Sequence, residues 1–441
     1  MYEKIKKTKN NKIQIQEVVI FSVFCLIIIL PLFWVNSSLD EISLEYINYF
    51  ETEHQNLLRV IAGYSNLLTS TFSYFIITIL IFNLSNLFKL IICNVIFILT
   101  VGIAAILKPI FNKTMLFALS QDNFLEPYDC WFSWSCPCTT IIYITATFLS
   151  IWYMYFPVRL WLRIALLILD ILLIIVLNFG VFLTGLYSII DVAFSMLLGL
   201  MIFIFLFFVL KIDVENSKDL KLLLNSNKII LGFNLFVTLT VIILFFTNQK
   251  SKNELDSIKK MITYTNCYFQ FPDNTDPSCD GLILLGIFLT NYAMIIGIKL
   301  EKKMLANNDE NKFGFFNFKG DENELESIYT FNDTLKQAQW KNTSCGKTLL
   351  RIFFSILICS TELLLILFIP YNTKSLFLMT ILLKYSLPVL LHTLYIFLFL
   401  KWIFIKFNLV NKDAIASDAT SRNSSLSLND LNTSSLISDE K

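Results

Sequence analysis

LFKLIICNVIFILTVGIAAIL, residues 87–107, is the stretch that decides the fold class. Lys89 is its one charge, and a helix of this length covers the roughly 30 Å of hydrocarbon in a bilayer. Lipid offers the backbone no hydrogen-bond partner, so a segment entering it must satisfy its own N–H and C=O groups, as a helix does. Similar runs recur at Val18–Val35, Leu67–Leu84, Thr139–Phe156, Leu160–Phe179, Ile189–Leu210, Ile229–Thr247, Gly281–Lys299, Leu349–Pro370 and Leu376–Leu400. The expectation is an all-α, polytopic transmembrane bundle of about ten spans.

Composition agrees. Hydrophobic residues fill 56% of the 441 positions, charged residues 16%, and mean hydropathy is +0.64. Soluble domains average about 45–50% apolar and about 25% charged residues. A net charge of +1 points to no polyanionic partner, and no nucleic-acid motif occurs. The implied partner is the lipid bilayer, and nothing implies a cofactor.

Charge sets the orientation. Lys4, Lys6, Lys7, Lys9 and Lys12 precede the first run and hold that end in the cytosol. Val18–Val35 is long for a signal peptide and lacks a small-residue cleavage site, so it reads as a retained anchor. The following loop carries Asp40, Glu41, Glu45, Glu51 and Glu53, which suits the far side. Counting onward, the loops at 108–138 and 249–280 are lumenal, and both termini are cytosolic. The chain divides into a basic tail (1–17), the anchor (18–35), a membrane domain (36–410) with a cytosolic insertion (301–347), and a Ser/Asn/Asp-rich tail (411–441). That last segment has little to bury and is expected to be disordered. Asn112 is the testable lumenal sequon. In the lumenal loops a Cys267–Cys279 disulfide, or one within Cys130, Cys136 and Cys138, is chemically allowed. That trio lacks the pattern of a zinc site.

Three stretches around the 108–138 loop carry a further signal. The first is Lys108-Pro-Ile-Phe-Asn-Lys-Thr-Met115-Leu116, directly after a span. The second is Cys130-Trp-Phe-Ser-Trp-Ser-Cys-Pro137-Cys138-Thr139-Thr140, at the start of the next. The third is Gly180-Val181-Phe-Leu-Thr-Gly-Leu-Tyr187-Ser-Ile-Ile-Asp191, running on to Gly199. Together they resemble the motifs of the glucose-6-phosphatase family, in the type 2 phosphatidic acid phosphatase superfamily: Lys-x6-Arg-Pro, Pro-Ser-Gly-His and Ser-Arg-x5-His. The resemblance spans about residues 40–405 and leaves Val18–Val35 as an additional span. It implies a phosphatase-type helical core in the endoplasmic reticulum membrane, hydrolysing glucose-6-phosphate in gluconeogenesis.

In that family one His attacks phosphorus, a second protonates the leaving oxygen, and Lys with two Arg neutralises the phosphoryl oxygens. Residue by residue, Lys108 keeps the lysine. Met115 replaces the first Arg, with Lys113 available if the alignment slides. Cys138, Thr139 and Thr140 replace Ser-Gly-His, Val181 the second Arg, and Tyr187 the second His. Asp191 keeps the outer position. The chain has two histidines, His54 and His392, and neither lies near either motif in the sequence. Groups that act as a unit fail together, so the expectation is an inactive or severely impaired phosphatase. It would bind a phosphorylated small molecule or an active paralogue. The alternatives are an active glucose-6-phosphate or lipid-phosphate phosphatase with unusual residues, and an unrelated transporter or scaffold.

Each residue also has a plainer reading. Lys108 either binds an anion or snorkels at a helix end. Asp191 caps a helix. Cys138 lacks an adjacent base and is structural. The mid-span carboxylates Asp170 and Glu362 are functional candidates, or they pair within the bundle, Asp170 with Arg163 and Glu362 with Lys384. His392 reads as an interhelical contact and His54 as a surface residue.

Overall fold

The computed structural model describes residues 39–47, 49–50, 53–54, 60–61, 71–85, 87–111, 113, 116, 135–155, 160–210, 227–247, 280–297, 343–368 and 386–409. Among these the chain is all-helical, without strands. A leading helix (residues 39–47) precedes α1 (Thr71–Leu84), α2 (Leu87–Phe111), α3 (Thr139–Met154), α4 (Leu160–Phe182) and α5 (Ile189–Ile204), which runs on as a π-turn over Phe205–Val209. Then come α6 (Asn227–Thr247), α7 (Asp280–Leu289), α8 (Cys345–Phe368) and α9 (Leu387–Leu394). A second π-turn, Tyr395–Phe399, joins α9 to α10 (Leu400–Lys406). Helix therefore occurs within nine of the ten apolar runs, and Val18–Val35 lies outside the described residues.

Among the described residues three helices are long and apolar enough to cross a membrane: Lys89–Phe111, Trp161–Phe182 and Ile189–Val209. They differ in what surrounds them. Of the apolar stretch of α4 only 28% is buried, against 67% for α2. Its outer side displays Trp161, Ile168, Leu172, Val176 and Phe179. An apolar surface of that extent is at home in lipid, where no hydrophobic penalty attaches to it.

With lipid as apolar as leucine, helices are held by close approach and by polar bonds between them. Gly199 of α5 supplies the approach to α3: a Cβ there would stand 2.7 Å from the Ile142 carbonyl oxygen and 2.7 Å from Thr145 Cβ. Single amide bonds tie other pairs. Asn83 donates to Ser355 (3.0 Å, α1 to α8), and Asn291 to Asn234 (2.7 Å, the α7 segment to α6). The core runs through α1, α2, α3, α5 and α7 to the α8–α10 end, with Leu90, Ile96, Ile142, Phe288, Phe397 and Phe404 almost fully enclosed.

Candidate functional site

The turn between α4 and α5 is shaped by Gly185, whose φ of +76° suits a residue without Cβ. It is followed by a capping box. Ser188 Oγ accepts from the Asp191 N–H (3.4 Å), and Asp191 Oδ2 accepts from the Ser188 N–H (3.1 Å). This places Asp191 in the first turn of α5, 1% exposed. Its other oxygen meets Lys113.

Lys113 is the centre of this end of the bundle. Its ammonium donates at 2.9 Å to each of three acceptors, Asp40 Oδ1, Ser188 Oγ and Asp191 Oδ1. Burial pulls the Lys113 pKa down, but the two carboxylates outweigh burial and hold it above the ordinary 10.5. Ser43, one turn after Asp40 on the leading helix, accepts from the Ile189 N–H (3.1 Å). The leading helix is thereby fastened to the start of α5 directly by a hydrogen bond and, through Lys113, by the Asp40 and Asp191 ion pairs.

The three sequence stretches are bonded to one another pairwise. Ser135 N–H donates to the Lys113 carbonyl (3.0 Å), joining the second to the first. Leu116 N–H donates to the Leu186 carbonyl (3.2 Å), joining the first to the third. Cys138 N–H donates to Ser195 Oγ (2.8 Å), whose own hydrogen goes to the Asp191 carbonyl (2.6 Å). Their apolar groups, Leu116, Cys138, Ile141, Val181, Phe182, Leu183, Leu186 and Val192, form one packed cluster, with Tyr187 against it. Cys138 Sγ lies 3.1 Å from Thr140 Oγ1 and within reach of the Tyr187 hydroxyl. Thr139 is half-buried beside them at the start of α3.

Thus Lys108, Cys138, Thr139, Thr140, Val181, Tyr187 and Asp191 gather at one end of the bundle, while Met115 and Cys130 lie outside the described residues. Lys108 is 4% exposed, in the last turn of α2 and close enough to act electrostatically on Cys136 and Cys138. The expected snorkelling to the membrane edge is therefore replaced by burial. Cys136 and Cys138 are free thiols, so neither forms the disulfide allowed above; Cys267 and Cys279 lie outside the described residues. Burial raises the pKa of both thiols, and for Cys136 Asp191 adds to the effect. Such thiols are poor nucleophiles.

His54 is the unexpected neighbour. Far from the motifs in sequence, it packs on Phe50 (ring centroids 6.0 Å apart), which touches Phe179 and lies against the same cluster. It remains exposed, outside the cluster.

A second polar centre lies inside the bundle. Glu362 of α8 and His392 of α9, both fully buried, meet at 2.8 Å between Oε2 and Nδ1. Across the ring, His392 Nε2 lies 2.7 Å from Thr78 Oγ1 of α1. The Thr78 hydroxyl also reaches the carbonyls of Tyr74 (2.7 Å) and Phe75 (3.0 Å), so it fixes the ring by its Nε2 edge and turns Nδ1 toward Glu362. Cys359 contributes a sulfur to the same place: Cys359, Glu362 and His392 present ligand atoms all within 4.8 Å of one another. The sequence reading paired Glu362 with Lys384, which lies outside the described residues. The Asp170–Arg163 pair is not formed: Asp170 Oδ2 has no hydrogen-bond partner, and Arg163 lies over the Trp152 ring.

Sequence reasoning missed the Lys113 junction, although Ser188-x-x-Asp191 ahead of an apolar run is itself a capping signature. No family model, curated protein or solved structure matches the chain.

Proposed function

We propose that this chain is a membrane protein of glucose-6-phosphatase type whose hydrolytic chemistry has been lost. It forms a ten-span bundle in the endoplasmic reticulum with both termini in the cytosol. The observation that carries this reading is the pairwise bonding of the three motif stretches at one end of the bundle. Segments separated by up to about seventy residues converge where the family's motifs require convergence.

The chemistry is absent from the same place. The positions that would hold imidazole or guanidinium groups present Thr140, Tyr187 and Val181 instead. Lys113, the substitute for the first arginine, is engaged by two carboxylates and a hydroxyl, which oppose an incoming phosphate by charge and by occupancy. Cys138 has no base to ionise it. What remains is binding, and an active relative of the same fold fits a closed, self-bonded end better than a phosphorylated small molecule does. The decisive measurement is phosphate release from glucose-6-phosphate and from a lipid phosphate by purified protein. Release indistinguishable from a protein-free blank is expected. Turnover that disappears in Lys108→Ala overturns the inactive reading.

A transporter is the second reading, and one observation favours it. The Glu362–His392 pair lies deep among apolar helices, and intramembrane ionisable groups commonly mark translocation paths. Substrate-free exchange of protons in proteoliposomes, abolished by Glu362→Gln, would select it.

A further inference from the structure

We propose that Cys359, Glu362 and His392 form a buried binding site for a divalent transition-metal cation of the zinc class. Cys359 and Glu362 stand three residues apart on α8 and so share one helical face. His392 meets them from α9, and the three ligand atoms lie within 4.8 Å of one another. Sulfur, nitrogen and oxygen in one set are ligands of a borderline-soft ion, not of calcium or magnesium. Three protein ligands is also the number found where a fourth position is kept for water or substrate.

Two details separate this arrangement from an ordinary buried ion pair. First, beyond His392 the fully buried Glu362 carboxyl has only the Cys359 thiol, a weak donor, beside it, and its Oε1 makes no hydrogen bond of ordinary geometry. A carboxylate oxygen left so is costly, and a cation would satisfy it. Second, the histidine is already prepared as a ligand. Its Nε2 edge is held 2.7 Å from the Thr78 hydroxyl, which turns Nδ1 toward the cluster. Metal-bound histidines are usually fixed in this way, the far nitrogen donating to a partner that sets tautomer and ring orientation.

Charge closes the argument. A divalent ion on one thiolate, one carboxylate and one neutral imidazole is electrically neutral, the condition under which ionic groups are tolerated in hydrocarbon. A metal-free cluster of the same net charge carries two protons besides that of the neutral imidazole, one on sulfur and one shared between Glu362 and His392. Loading exchanges one M²⁺ for two H⁺: the S–H bond and the shared-proton bond break, three coordinate bonds form, and nothing is oxidised. Ligand atoms around a tetrahedral ion stand about 3.3–3.8 Å apart. The 2.8 Å Glu362–His392 pair therefore opens by about 0.5–1 Å on loading. Among the described residues Tyr74 of α1 also faces the cluster, interacting with Glu362 and Cys359 and packing its ring against His392.

The test uses the full chain, purified in detergent, stripped with a chelator and titrated with Zn²⁺ or Co²⁺ alone. One equivalent per chain is expected, with two protons released per Zn²⁺ and a thiolate-to-cobalt charge-transfer band for Co²⁺. Cys359→Ser should abolish the band, and Glu362→Gln should weaken Zn²⁺ binding. Thr78→Val keeps the shape of the residue and removes the hydroxyl that holds Nε2, so affinity should fall about 10–100-fold. Absence of a stoichiometric site in the wild-type chain overturns the proposal, whatever the variants do. So does a cobalt spectrum unchanged in Cys359→Ser, which would place the ion on other cysteines.

Discussion

Lys113 directs three hydrogens at three acceptors that come from two distant parts of the chain, Asp40 on one side and Ser188 with Asp191 on the other. Removing it leaves two carboxylates facing each other with no cation between. Lys113→Met should lower stability by about 2–3 kcal/mol, read as a fall in detergent melting temperature. That is below the range for a fully buried pair because the Lys113 side chain keeps 12% of its exposure. Its pKa is raised on folding, so its contribution is complete at neutral pH and disappears only as pH climbs past that raised value, above the ordinary 10.5. A melting temperature that drops between pH 6 and 8 in step with Lys113 would contradict this. The thiols give a second prediction. Iodoacetamide at pH 7.5 should modify the exposed Cys345 and spare Cys136 and Cys138 in the folded protein, as peptide mass spectrometry would show. Much at this scale was legible from sequence. Asp191 as a cap follows from Ser188-x-x-Asp191, and Cys138 as a structural thiol follows from the lack of a base. Lys113 was visible only as an alignment option, because its partner Asp40 lies 73 residues away and no local pattern links them.

Helix identity was the most readable layer, since long apolar runs have one way of satisfying their backbone in lipid. Which helix faces lipid was not readable: α4 and α2 are comparably apolar, yet one lies at the periphery and the other in the core. Periodicity cannot tell these apart when both sides of a helix are apolar. Gly199 is where two helices depend on a single missing methyl group. Gly199→Ala puts its Cβ against the Ile142 backbone oxygen and Thr145 Cβ, neither of which can rotate aside. A loss of about 1–3 kcal/mol is expected, read as melting temperature. Gly232→Ala, where a Cβ would meet nothing, is the control and should be neutral or slightly stabilising.

At the scale of the molecule, the proposed topology makes a prediction of its own. A sequon placed in the 249–280 loop should accept a glycan, and one placed beyond 411 should not, read as a mobility shift reversed by glycosidase. The opposite pattern would invert the bundle. The Cys359–Glu362–His392 cluster was hidden from sequence for a simple reason: two members share a helix turn, but the third lies 30 residues further along the chain. The Thr78–His392 contact spans 314 positions. At ordinary rates of synthesis, about 5–20 residues per second, the histidine leaves the ribosome roughly 15–60 s after the threonine. Glu362 also emerges ahead of it. A nascent chain halted between the two would carry an acidic group in the bilayer with no imidazole to meet it, which exposes premature termination products to quality control. Hydrogen bonds buried in the interior of the bundle are thus completed only after most of the chain has been made.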